Sequence, residues 1–287
     1  MIKQLIKASL CALAILVMMP ACAQGTFDEV TFPETFVGTK ENKIENAAAL
    51  SSFFEKLKEG KEQARVLHIG DSHIRGNFLP GNVRKAMVVT FGSEAMEADP
   101  IGYNKPSIAT ETGKPGLVFS SIGINGATTR NFMKPQQLQA IKAQRPDLLI
   151  LSFGTNESYG NEYNAERHAE KLQQFVAALR ENCGDSVAIL LTTPPGCFKK
   201  TANKDIKIEN KFNAPAAETI ANFALDNNLA LWNLYEIAGG INACTNWKNA
   251  KLMQPDGVHF NTKGYELQGR LLGQAISKAA FNEKSFK

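Results

Sequence analysis

From residue 64 onward, short apolar runs alternate with amphipathic stretches, and this rhythm constrains the fold more than any other feature of the chain. Such alternation specifies parallel strands joined by helical crossovers, with both faces of the sheet covered. The apolar runs read as strands at about 65–70, 117–122, 147–153, 186–192 and 229–234. Helices fit between them. The clearest spans 164–182, where Leu172, Phe175, Val176 and Leu179 fall at i, i+3, i+4 and i+7, Asn164 can cap the start and Gly184 follows the end. Others are expected over about 214–227 and 263–280, and Ala47 to Leu57 reads as a helix ahead of the first strand. The connection from Phe91 to Gly116 is longer than a crossover requires, which suggests an added hairpin or a substrate loop.

The start of the chain has a different character. Lys3 and Lys7 precede the apolar run Ala8 to Met19, a pattern of export too short for a comfortable bilayer span. Two cleavages fit: removal of residues 1–23 after Ala21-Cys22-Ala23, or a lipoprotein signal over 1–21 that leaves a lipidated Cys22 as the only membrane attachment. Loss of the first 23 residues removes two lysines and no acids, so the net charge falls from +4 to +2. That balance lacks the clustered excess of Lys and Arg expected of a nucleic-acid binder. Residues 24–60 read as an N-terminal arm followed by a helix, and 61–287 as one α/β domain with a sizeable core. The oligomeric state is not encoded in any feature of the sequence.

In an open parallel sheet, ligands bind beyond the carboxyl ends of the strands. The residues at those positions are unusual as a set. Gly70-Asp71-Ser72-His73 follows the first strand, Asn125-Gly126-Ala127-Thr128-Thr129 the second, Gly154-Thr155-Asn156-Glu157 the third, and Asp256-Gly257-Val258-His259 comes after the fifth and a loop. Each block alone is an ordinary turn. Together they offer a nucleophile in Ser72, a base in His259, a carboxylate in Asp256 to orient it, and oxyanion donors in the Ser72 and Gly126 amides and the Asn156 side chain. A serine hydroxyl needs a base to take its proton, and an imidazole titrating near pH 6.5 can serve. Glycine at 126 lets the backbone approach a ligand closely.

These four blocks, in this order, resemble those of the SGNH hydrolases, also called the GDSL family of esterases and lipases, over about residues 64–280. The resemblance implies a three-layer α/β/α flavodoxin-like fold on a five-stranded parallel sheet. It also implies a catalytic triad of Ser72, Asp256 and His259 with an oxyanion hole from Ser72, Gly126 and Asn156. Two positions depart from the usual pattern, His73 where leucine is common and Glu157 where aspartate is more frequent. The Gly-Asp-Ser-His form on an exported chain is similar to bacterial carbohydrate-acting members, including peptidoglycan O-acetylesterases. The expected activity is therefore periplasmic or secreted removal of a small acyl group, acetyl above all, from a carbohydrate, with no cofactor. A lipase, lysophospholipase or thioesterase is the alternative on the same residues, and a glycan-binding protein without turnover the lesser one.

Other residues bear on the site's surroundings. The four histidines are scattered, with no ligand spacing for a metal, and Gly70 is not followed by a dinucleotide-binding glycine pattern. His68 is expected in the core, bonded to backbone, and His168 on a helix surface. His73 either lines the pocket or packs on the sheet. Of the three cysteines beyond the export segment, Cys197 and Cys244 belong to loops at the active edge and form the favoured pair if any disulfide exists; Cys183 lies a strand's length away. Thr193 to Lys200, Tyr159 and the segment near Trp247 are expected to border the pocket, where aromatic faces can stack on sugars. Lys199, Lys200, Lys204 and Lys207 form either an anion-attracting patch or a solvated run.

Overall fold

The computed structural model describes residues 29–92, 94–97, 107–201 and 206–281. The expected export segment, Cys22 and Lys204 lie outside the described residues.

In chain order, helix α1 (Ser51–Glu59) leads into strand β1 (Gln63–Gly70), then α2 (Ser72–Arg75) and α3 (Phe78–Phe91). Strand β2 (Gly116–Gly123) is followed by α4 (Thr129–Phe132) and α5 (Pro135–Ala143), and β3 (Leu148–Ser152) by α6 (Thr155–Ser158) and α7 (Ala165–Cys183). Next come β4 (Ala188–Thr192), a hairpin of β5 (Phe198–Lys200) and β6 (Lys207–Glu209), and α8 (Asn213–Asp226). Strand β7 (Ala230–Trp232), α9 (Leu234–Ile237), α10 (Ala243–Asn249) and α11 (Thr262–Phe281) complete the chain.

The five longer-range strands form one parallel sheet in the order β2-β1-β3-β4-β7, each within a few residues of an apolar run in the sequence. Successive side chains on β1 serve opposite faces. Ala64 and Val66 join the core under α1, α3 and α11, and Leu67 and Ile69 join the core under α5, α7 and α8. This two-sided burial is why the strands read as nearly continuous apolar runs. Helix α7 carries Leu172, Phe175, Val176 and Leu179 on its buried side, and Asn164 caps it by accepting the Arg167 N–H at 2.7 Å.

His168, expected on the surface of that helix, is instead buried. Its Nδ1 pairs with the Tyr163 hydroxyl at 2.8 Å, and that hydroxyl in turn donates to Thr219 Oγ1. A histidine reads as polar in a helical pattern, whereas a tyrosine from the preceding loop gives it a partner inside. His68 is in the core as expected, but its bond is to the Ser152 hydroxyl at 2.8 Å and not to backbone.

Residues 29–46 lie against the domain. Glu45 exchanges backbone hydrogen bonds with Leu231 on the β7 edge, and Asn42 accepts the Trp232 indole N–H at 2.9 Å. Phe32 and Phe36 pack on Trp247. The described part of the β2 approach runs along the other sheet edge, with bridges Glu94 to Leu117 and Ser107 to Ser121.

Candidate active site

The sheet delivers Ser72 to its carboxyl edge through a turn that only glycine permits at position 70. A Cβ there would collide with the Ser152 carbonyl oxygen and the Ile74 side chain. Asp71 then caps α2. Its Oδ1 accepts the His73 N–H at 2.9 Å, and its carbonyl accepts the N–H groups of Ile74 and Arg75. Ser72 is thereby the first residue of the short helix, half-buried, with its hydroxyl facing out of the sheet.

A second loop, closed on itself, supplies the partners. The Gln254 N–H donates to the His259 carbonyl at 2.8 Å and the Gly257 N–H to the Gln254 carbonyl at 3.0 Å, so residues 256 and 259 are folded toward each other. The Ser72 hydroxyl donates to His259 Nε2 at 2.9 Å, and His259 Nδ1–H donates to Asp256 Oδ2 at 2.6 Å. The other Asp256 oxygen accepts the N–H groups of Val258 and His259 at 2.8 and 2.9 Å. Partial burial works to raise the Asp256 carboxyl. The ring and backbone donors outweigh it and hold the group below the ordinary carboxylate range. An ionised Asp256 fixes the imidazole tautomer that leaves Nε2 free to accept a proton.

Besides the Ser72 N–H, the expected oxyanion donors come from the loop after β2 and from α6. Gly126 adopts a φ of +67°, a conformation that disfavours side chains, in the exposed turn after β2. Among the described residues, no turn or cap hydrogen bond uses the Ser72 or Gly126 N–H. Asn156, in α6, is brought to the same place but is already engaged: its Nδ2 donates to Asp71 Oδ2 at 3.1 Å and to the Ala127 carbonyl at 3.0 Å. An incoming oxyanion therefore shares or displaces one of these acceptors.

Three features of the site escaped the sequence reading. The Glu157 carboxylate accepts the Gly154 N–H at 2.9 Å with one oxygen and the Thr129 N–H at 3.0 Å with the other, so it clamps the loop after β2 to the loop after β3. Burial raises its pKa. Asp71 is buried as well, and desolvation pushes its carboxyl up to about 7 against the hydrogen bonds from His73 and Asn156. His73 lies behind the relay. Its Nδ1 pairs with the Tyr265 hydroxyl at 3.0 Å, its ring is 5.4 Å from that of His259, and burial lowers its pKa to about 3, which keeps it neutral. The length of the Glu157 side chain, one methylene beyond aspartate, was the only sequence signal for any of these.

Two expectations about the surroundings are overturned. Trp247 is fully buried between Phe32, Phe36 and Phe260, so it offers no face to a sugar, whereas Tyr159 stays half-exposed beside Lys199. Cys197 and Cys244 are free thiols. The Asn213 side chain sits at both of them, with Oδ1 3.5 Å from Cys197 Sγ and Nδ2 3.2 Å from Cys244 Sγ, and the Cys244 thiol donates to the Cys197 carbonyl at 3.4 Å. Burial pushes the Cys197 thiol up to about 12 and raises that of Cys244 also, so both remain protonated and unreactive.

Behind Ser72 the protein is close-packed. A cavity of about 20 Å³ lined by Asp71, His73, Ile74, Pro194 and Gln268 among others has space for roughly one water.

Comparison with known proteins places these residues in context. The family model for GDSL-like lipase/acylhydrolase matches residues 66–272, which include all four blocks. An isoamyl acetate-hydrolyzing esterase of Schizosaccharomyces pombe is 26% identical over 217 residues, covering 75% of this chain and 76% of that protein. Among solved structures, a peptidoglycan O-acetylesterase superposes with a TM-score of 0.69 at 18% identity, over 83% of this chain and 99% of its own. An acetyl xylan esterase superposes with a TM-score of 0.51 at 20% identity, over 74% and 98%.

Proposed function

The chain belongs to the GDSL-like lipase/acylhydrolase family and is a carboxylic ester hydrolase, and from that premise we propose that it is an exported esterase that removes acetyl groups from a carbohydrate. The observation that carries the mechanism is the continuous chain Ser72 Oγ to His259 Nε2 and His259 Nδ1 to Asp256 Oδ2, at 2.9 and 2.6 Å.

In this reading Ser72 Oγ attacks the ester carbonyl as His259 Nε2 takes its proton. The carbonyl oxygen becomes an oxyanion, received by the Ser72 and Gly126 N–H groups and by Asn156. Collapse of the tetrahedral intermediate breaks the bond to the sugar oxygen, which leaves with the proton from His259. Water then attacks the acetyl-Ser72 ester with His259 again as base, and collapse of the second tetrahedral intermediate breaks the bond to Ser72 Oγ, which regains its proton from His259 as acetate leaves. Asp256 stabilises the imidazolium in both halves. No cofactor enters this scheme.

The esterase relative is named for an acetate ester, and the two structural neighbours are named for acetylated polymers, which supports the substrate class. Export rests on Lys3, Lys7 and the apolar run that follows them. The decisive experiment is Ser72→Ala. The variant should lose hydrolysis of 4-nitrophenyl acetate by a factor on the order of 10⁴ or more while keeping its circular dichroism spectrum; near-normal turnover would remove Ser72 from the mechanism.

A further inference from the structure

Beside the Asp256 loop lies a cleft of about 320 Å³, walled by the β5–β6 hairpin on one side and the end of α10 on the other. Its lining includes Phe198, Lys207, Lys248, Lys251, Met253 and Pro255. Three lysines thus border one concavity, and among the described residues no carboxylate lines it. Among the described residues none of the three lysines is in an ion pair. The nearby acids are otherwise engaged: Asp256 is held by His259 and two backbone N–H groups, and Glu209 interacts with the Cys244 thiol.

A lysine cluster alone is most often a solvated face. This one differs in shape and in place. Lys248 Nζ stands 5.1 Å from the Phe198 ring centre, and Lys207 Nζ donates to the Pro255 carbonyl, so two of the ammonium groups are held against the walls. Met253 and Pro255 give the cleft an apolar side suited to the C–H face of a sugar ring, with Phe198 beneath Lys248 as its floor. The same walls belong to the candidate active site. The Phe198 N–H donates to the Gly257 carbonyl at 2.8 Å, and Pro255 and Gly257 flank Asp256 in the chain.

We infer that this cleft binds an anionic sugar residue of the substrate, a carboxylate-bearing unit that lies along the chain from the acetylated one cleaved at Ser72. The inference rests on the carbohydrate esterase reading above and narrows it to acidic glycans. Lysine suits the task, since a compact ammonium attracts a carboxylate without demanding one geometry. Contacts of this kind weaken with salt, because the Debye length falls to about 8 Å at physiological ionic strength.

The test is the double variant Lys248→Glu/Lys251→Glu, assayed on O-acetylated polygalacturonate, on neutral O-acetylated glucomannan and on 4-nitrophenyl acetate. KM for the acidic polymer should rise about tenfold or more with kcat held, and the other two substrates should be unaffected. Added salt should raise KM for the acidic polymer in the parent enzyme and scarcely in the variant. Equal losses on both polymers, or no change on either, would overturn the inference. Binding is read separately with Ser72→Ala protein and unacetylated oligogalacturonate in a calorimeter, where heat should appear and vanish once the two lysine substitutions are added. That arm survives a failure of the esterase reading, which would show instead as absent 4-nitrophenyl acetate hydrolysis in the parent. Lysine-dependent sedimentation with phosphatidylglycerol vesicles, without binding of the oligogalacturonate, would assign the patch to a membrane and reject the proposal.

Discussion

Asn156 Nδ2 donates to Asp71 Oδ2 at 3.1 Å, which joins the side chain expected to hold the oxyanion to the residue just before Ser72. The amide is thus held in place before any substrate arrives, with its second N–H on the Ala127 carbonyl, and an oxyanion has to share or displace one of the two acceptors. A donor held in place needs little reorganisation, and its loss is felt in the transition state. Asn156→Ala should lower kcat by roughly 10² to 10³ and change KM little. Steady-state kinetics on 4-nitrophenyl acetate measures both, and a change confined to KM would argue against the assigned role.

Asp71 makes stability depend on pH in a direction opposite to that of a salt-bridged carboxylate. Its folded pKa is raised to about 7 from 3.8 by burial, so between those values the native state holds a proton that the unfolded chain has released. This contribution therefore falls as pH rises through that window and levels off above it. The linkage is about 1.4 kcal/mol per unit, a few kcal/mol at most for such a group. Asp71→Asn removes it. Urea midpoints at about pH 4.5 and about pH 8 should diverge between parent and variant, in the variant's favour at the higher pH; a constant offset would mean that Asp71 does not titrate as described.

Glu157 bridges the Thr129 and Gly154 N–H groups with its two oxygens. Aspartate is one methylene shorter and cannot keep both contacts without backbone movement. One buried N–H left unsatisfied costs about 1–3 kcal/mol. Glu157→Asp is expected to lose that much in denaturant unfolding and to lose kcat more than binding, because Gly126 and Asn156 sit on the two loops it joins. Unchanged stability with unchanged kcat would show that the clamp is dispensable.

Acyl-chain length should matter steeply. An acetylesterase has an acyl site shaped for two carbons, and the added chain of an octanoyl ester meets steric conflict there. On 4-nitrophenyl esters, kcat/KM should fall by about tenfold or more between acetate and octanoate, whereas a site that buried the chain would gain ~0.8 kcal/mol of binding per methylene. A rise with chain length would favour the lipase reading.

The sheet was legible in the sequence because strands buried on both faces show as unbroken apolar runs, such as Leu148 to Leu151 between α5 and α7. The β5–β6 hairpin was not, since Phe198 to Lys200 and Lys207 to Glu209 are three residues each and carry four charges between them. Periodicity needs more residues than that to declare itself. Trp247 and His168 were misplaced for a related reason. Whether an aromatic or an imidazole faces water depends on partners distant in sequence, Phe32 and Phe36 for one and Tyr163 for the other. The spacing that suggested a disulfide between Cys197 and Cys244 was sound as far as it placed their loops together. Asn213 between the thiols was beyond its reach.

What the sequence by itself determined is local and periodic: where the strands run, where each leaves the sheet, and which reactive side chains stand at those exits. Ser72, Gly126, Asn156, Asp256 and His259 could be named because turn chemistry and residue type are written at each position. Only the tertiary structure decided how those exits connect. The Glu157 clamp, the Asp71 to Asn156 bond, the neutral His73 behind His259 and the lysine-lined cleft all pair residues from different loops. Their energies depend on burial and on distances of about 3 Å, which arise when the strands assemble side by side and have no counterpart along the chain.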